Sequence, residues 1–228
     1  MKIRKFTYLR IIFLLGLIFT VNISCERDLS DEAVFATFPN TGEVFIDGFS
    51  GGLEYLPFAD SKQNALSIDE KTKYDGTASM RFDVPNVGDP AGSYAGAIFP
   101  DYFGRNLTEY DALTFWAMGS QAATINEIGF GVDFIENKYF ATKQNLRINT
   151  TWTKYVIPIP DPYKLTLEKG MFFYAAGPEN NNGFTFWIDE LQFEKLGTIA
   201  QPKPAILNGE DIEQTSFIGS RIDLRSGL

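Results

Sequence analysis

Histidine is absent from all 228 residues, and that absence removes more chemistry than any single residue supplies. Without it there is no Ser-His-Asp or Cys-His nucleophilic relay, no His-ligated zinc and no ordinary neutral-pH general base. Gly48-Phe49-Ser50-Gly51-Gly52 has the Gly-x-Ser-x-Gly spacing of a nucleophile elbow. That device needs a strand-to-helix turn and a histidine to take the serine proton, so the glycine cluster reads as a turn between strands. No Gly-x-Gly-x-x-Gly opens a helix and no Walker-type loop occurs, which leaves nucleotide chemistry without a phosphate cradle. Cys25 is the only cysteine, so no intramolecular disulfide staples the fold. Basic residues are in deficit, 20 against 29 acidic, for a net charge of −9. A surface this negative repels phosphate backbones and anionic headgroups, so nucleic acid is excluded as a partner.

What is present begins with an address. Lys2, Arg4, Lys5 and Arg10 precede an apolar run, residues 11–21, that is too short to span a bilayer comfortably. Ser24 then places a small residue immediately before Cys25. A basic start, a short apolar segment and a small residue before the cut are the signature of a secretory signal. Residues 1–24 resemble a bacterial lipoprotein signal, with Asn22 standing where such signals usually carry leucine. The resemblance implies that Cys25 is lipidated and becomes the new N-terminus. A plain secretory signal or an uncleaved anchor are the alternatives. Residues 25–42 read as a tether, acidic at 26–32, which resembles the stretch after the lipid cysteine in surface lipoproteins of Bacteroidota. The implied location is the outer membrane, exposed at the cell surface, with the lipid as the only membrane contact. Loss of residues 1–24 removes four basic and no acidic side chains, taking the net charge from −9 to −13.

From residue 43 to 197 the apolar residues recur at spacing two, as in Met80-Phe82-Val84, Leu113-Phe115-Ala117, Ile128-Phe130-Val132-Phe134 and Phe184-Phe186-Ile188. That is the period of half-buried strands, and no amphipathic helical pattern competes with it. Asp75-Gly76, Gly88-Asp89-Pro90, Pro160-Asp161-Pro162 and Asn180-Asn181-Asn182-Gly183 separate the runs with turn chemistry. Many short strands between such turns predict an all-β domain, a jelly-roll β-sandwich. Residues 198–228 read as a proline-containing linker followed by a disordered tail or the opening of an immunoglobulin-like repeat.

Five stretches carry a family resemblance: Val44-Phe45-Ile46-Asp47-Gly48-Phe49, residues 74–82 (YDGTASMRF), residues 107–116 (LTEYDALTFW), residues 151–158 (TWTKYVIP) and residues 186–193 (FWIDELQF). In this order they resemble galactose-binding-like jelly-roll modules, which include many carbohydrate-binding modules. The resemblance implies the β-sandwich fold and a polysaccharide or oligosaccharide partner bound without catalysis. It also implies a structural Ca²⁺ where the first and last strands meet, with Asp47, Asp75 and Asp189 as metal residues. Calcium takes six to eight hard oxygen ligands, and a carboxylate within the apolar run around Asp189 needs a partner. A hydrogen bond to a nearby loop, or an edge position facing water, is the alternative.

Ligand residues follow from parity. Phe115 shares a face with Leu113, which turns Trp116 outward; the same logic sets Trp187 opposite Phe186 and Ile188, and Tyr174 opposite Phe173. On one sheet, these rings would form an aromatic platform for the flat C–H faces of sugars, with Asp133 as a polar partner. Packing is the competing use for each ring, and the resembled family implies that Trp152 is core. Glu127 and Asp133 bracket one strand, but nothing sets them in one cleft as a glycosidase pair, so no catalytic residue is assigned. The expected function is non-catalytic binding of an extracellular polysaccharide. A structural or adhesion module of a larger surface protein, or an accessory domain of a glycoside hydrolase, are the competing readings.

Overall fold

The computed structural model describes residues 40–133 and 139–197. The signal segment, Cys25 and the tail from residue 198 lie outside the described residues. Within them the chain forms eleven strands and one short 3-10 turn at Pro162–Lys164. The strands are β1 (Glu43–Phe45), β2 (Leu56–Pro57), β3 (Leu66–Asp69), β4 (Ser79–Val84), β5 (Ala95–Arg105) and β6 (Ala112–Gly119). They continue as β7 (Ala123–Phe130), β8 (Ala141–Ile148), β9 (Thr153–Pro158), β10 (Glu168–Ala176) and β11 (Phe184–Glu194).

Two antiparallel sheets result. One runs β3-β4-β11-β6-β9 with β1 also paired to β11, and the other runs β2-β5-β10-β7-β8. This is the jelly-roll sandwich that the alternation predicts. Met80, Phe82 and Val84, Leu113, Phe115 and Ala117, Ile128 and Phe130, and Phe184, Phe186 and Ile188 are all buried in the shared core. Aromatic rings bridge the sheets: Tyr174 of β10 lies 4.4 Å from Phe82 of β4 and 5.7 Å from Phe186 of β11.

Tyr174 therefore corrects the outward assignment made from parity. It is fully buried, and its hydroxyl sits 3.3 Å from that of Tyr55, the kind of partner a buried phenol requires. Burial pushes its ionisation well above the ordinary tyrosine range. The physical reason is that Met171 to Ala176 is apolar on both faces, so alternation fixes a parity but not its direction. Phe172, Tyr174 and Ala176 face the core, and Phe173 takes the other side.

The glycine cluster at 48–52 is indeed a turn. Ser50 Oγ donates to Glu43 O at 2.7 Å and accepts from Arg105 Nη2 at 2.8 Å. Arg105 is fully buried; its Nε donates to Asp101 Oδ2, and its Nη1 to Glu43 O and Thr41 O. One guanidinium thus ties the start of the domain to β5.

Candidate binding faces

The six-stranded sheet carries two of the predicted rings. Trp116 pairs in register with Asp189 and Lys154, and Trp187 with Met118 and Arg81. Both turn away from the core on adjacent strands β6 and β11, as parity requires. Neither is a free platform. Tyr74, from the β3–β4 loop, stacks on Trp116 with ring centroids 3.7 Å apart and planes at 12°. Trp187 Nε1 donates to Asp69 Oδ2 at 2.9 Å. Several other polar groups of this face bond to one another, Arg81 and Thr185 to Asp83, and Lys154 and Gln192 to Glu194. Trp152 is not core: it is half-buried and meets Tyr74 edge-on at 6.2 Å. Asp133 follows β7 on the five-stranded sheet and is half-buried, so it belongs to the opposite side of the sandwich and is no partner for Trp116.

The acidic residues meet where β1 pairs with β11. Asp47 Oδ1 accepts from the amides of Thr77 and Ala78, and these bonds, Thr77's foremost, hold it below the usual carboxylate range. Gly76, at φ +61°, is what allows the approach, since a Cβ there would fall on the Asp47 carboxylate. Asp189 is fully buried in β11; its Oδ2 accepts from Tyr74 N at 2.8 Å and its Oδ1 from Glu190 N at 2.9 Å. Burial pushes Asp189 upward and the charge of Asp47 adds to the push. Glu190 is raised in the same way, by burial and then by Asp189, Asp75 and Asp47. Asp75 Oδ1 accepts from Gly76 N. The donor set is hard oxygen, the chemistry calcium takes, and a carboxylate offers about four acceptor sites. The placement is less favourable: among the described residues no group of three or more His, Cys, Asp or Glu side chains is gathered to hold a metal ion. The loop hydrogen bond, one of the two partners expected for Asp189, is present.

The outer face of the five-stranded sheet is built differently. Ala95, Ala97 and Phe99 of β5 face the core, which turns Tyr94, Gly96 and Ile98 outward. A Cβ on Gly96 would lie 2.7 Å from Tyr94 Cε2 and 3.0 Å from Phe58 Cδ2. The missing side chain is therefore what lets two aromatic rings lie against the strand. Phe58 N bonds Gly96 O, Gly96 pairs with Ala175, Ala175 with Glu127, and Glu127 with Gln144. The row crosses the sheet at right angles to its strands. Four inter-strand steps of about 4.8 Å make it roughly 19 Å long. Phe58, Ala175 and Glu127 are half-buried and Gln144 is exposed. Glu127 Oε1 accepts from Thr142 Oγ1 at 3.3 Å, so its carboxylate lies on this face and is oriented there. The row combines an aromatic wall, a side-chain-free floor and polar groups at the far end. It was missed because Phe58 lies outside every alternating run. The pattern Tyr94-Ala95-Gly96-Ala97-Ile98 carried the signal for its neighbours.

Among solved structures, a family 30 carbohydrate-binding module is 15% identical, with 62% of this chain and 91% of that one covered at a TM-score of 0.44. The family 30 module of a cellulosomal cellulase of Clostridium thermocellum is 16% identical, covering 70% and 95% at 0.41. A family 11 module from Clostridium thermocellum, in complex with a β-1,3-1,4-mixed-linked tetrasaccharide, is 13% identical, covering 64% and 90% at 0.43. No curated protein sequence matches the chain. Residues 43–195, from the first strand to just past the last, match the family described as Carbohydrate binding domain 30. With that match covering most of its length, the chain belongs to the family of carbohydrate binding domain 30.

Proposed function

We propose that this chain binds a neutral extracellular polysaccharide without cleaving it, along the row Phe58, Gly96, Ala175, Glu127 and Gln144. Membership of a carbohydrate-binding family carries the reading. The row is preferred because it sets an aromatic ring, a glycine and a small residue, and polar side chains in one line across five strands. Its length suits an oligosaccharide segment better than a single sugar. Glu127 in the row and the net charge of −9 disfavour acidic glycans. Membership of a carbohydrate-binding family supports a non-catalytic role for the domain, and the signal-like residues 1–25 support lipid attachment at the outer surface.

A calcium ion at the β1–β11 junction is part of the same proposal. Its support is the mutual repulsion of Asp47, Asp75, Asp189 and Glu190, which a divalent cation would relieve. Asp47, Asp75 and Asp189 would have to draw together around it, since they are not gathered without it.

Affinity gel electrophoresis tests the binding reading. The purified chain should be retarded by at least one of mixed-linked β-glucan, xyloglucan, hydroxyethylcellulose and laminarin, and not by polygalacturonate. Phe58→Ala should weaken that binding about tenfold, since stacking on one ring contributes on the order of 1–3 kcal/mol in the comparable case of bases. No retardation by any polysaccharide would leave the structural-module reading in its place. Cys25→Ser tests the address: the protein should cease to fractionate with membranes.

A further inference from the structure

We infer that the six-stranded sheet carries a second sugar-binding position, with Tyr74 as the stacking ring, so that one chain holds two polysaccharide strands on opposite sides of the sandwich. Tyr74 is 42% exposed although one face of its ring is covered by Trp116 at 3.7 Å. A ring backed in parallel by an indole has one broad face left, and its exposure shows that part of the ring is open to solvent. Trp152 packs beside the pair, its ring 6.2 Å from that of Tyr74 with the planes at 65°. The backbone beneath is fixed as well, because Tyr74 N donates to the buried Asp189 carboxylate at 2.8 Å. A tyrosine held at its amide and along one whole face loses little further freedom when a ligand stacks on it, which is the condition under which a single ring contributes most.

The occupant follows from shape and charge. A flat, uncharged aromatic face complements the C–H face of a pyranose. The net charge of −9 disfavours anionic ligands. The exposed area is one ring, too small for a stable protein interface. The chain already belongs to a carbohydrate-binding family, so a neutral glycan is the partner that fits.

Two positions on opposite faces have a consequence that one position lacks. A glycan lying along the Phe58 row cannot also reach Tyr74 through the core, so each chain would bridge two strands of polysaccharide. A monomeric protein would then cross-link its ligand, with the effective affinity for a dense glycan surface raised above that of either position.

The test uses the purified chain with mixed-linked β-glucan, xyloglucan, hydroxyethylcellulose and laminarin, read by gel retardation and by light scattering of the soluble polysaccharide. Tyr74→Ala should lower retardation about tenfold. Because that change also uncovers Trp116, Tyr74→Leu is the second variant; it keeps an apolar cover but no flat ring, and should bind as weakly as Tyr74→Ala. Tyr74→Phe should match the wild type. The wild-type chain should increase the scattering of the polysaccharide, and either Tyr74→Leu or Phe58→Ala alone should abolish the increase. Wild-type retardation and scattering in Tyr74→Leu would overturn the second position while leaving the Phe58 row intact. Loss of binding in Phe58→Ala alone would mean that one face does all the work, and no retardation of the wild type in any gel would overturn both.

Discussion

Arg105 Nε donates to Asp101 Oδ2 at 2.8 Å, and both side chains are shut off from solvent. Burying two charges is costly, and such a pair is tolerated when the remaining donors and acceptors are also satisfied. They are: Asp101 Oδ1 takes the amides of Phe103 and Gly104, and the other guanidinium nitrogens reach Glu43 O, Thr41 O and Ser50 Oγ. Arg105→Met should destabilise the fold by about 3–5 kcal/mol in urea unfolding, because Asp101 is left buried and unpaired. Ser50→Ala removes only the hydroxyl between Arg105 and Glu43, and should cost about 1–3 kcal/mol. Arg105→Lys should not restore stability, since a single ammonium cannot reach all of these acceptors.

Asp69 sets an acid limit to stability. Burial pushes it upward, but the amides of Thr72 and Lys71, the Trp187 indole N–H and the Arg81 charge outweigh that and hold it at about 2, below its ordinary 3.8. A carboxyl depressed in the folded state stabilises it above the unfolded value, and that contribution is lost as pH falls from 3.8 toward 2. Urea midpoints should therefore decline over this window, and Asp69→Asn should flatten the decline. Trp187 fluorescence should change with the same titration.

Asp189 acts in the opposite sense. Burial and Asp47 raise it in the folded state, so its contribution is fully present below 3.8 and is lost as pH rises through its folded value. If calcium relieves this repulsion, chelation at neutral pH should lower the melting temperature. A site filled at a hundred times its dissociation constant contributes about 2.7 kcal/mol, which is roughly 5–10 °C for a domain of this size. Asp189→Ala should abolish the difference between calcium and chelator. Identical melting curves in both would leave the loop amides as the partners of these carboxylates.

Gly96 tests the floor of the row. Gly96→Ala places a methyl group against Tyr94 and Phe58, the ends of side chains that can swing aside, and 3.1 Å from Tyr174 O. Glycan retardation should fall several-fold as the rings are displaced, with the melting temperature changed far less than by Arg105→Met. Unchanged retardation would remove Phe58 and Tyr94 from the binding surface.

The sequence by itself determined the class of fold, much of the core and a long list of excluded chemistries. A strand's side chains alternate strictly, so Phe82, Phe115, Phe130 and Phe186 were legible as interior from their own neighbours, as were Trp116 and Trp187 as exterior. Missing histidine needs no coordinates to be read. Tertiary structure decided the rest, because parity names a face without saying what lies over it. Trp116 is covered by Tyr74, a loop residue 42 positions earlier in the chain, and Asp189 meets the Tyr74 amide across a separation of 115. In β10 both faces are apolar, so only packing against Phe82 and Phe186 could send Tyr174 inward. The row from Phe58 to Gln144 exists only when separate strands are brought into register. Local alternation is a property of one strand, whereas a binding face is a property of how several strands are laid side by side.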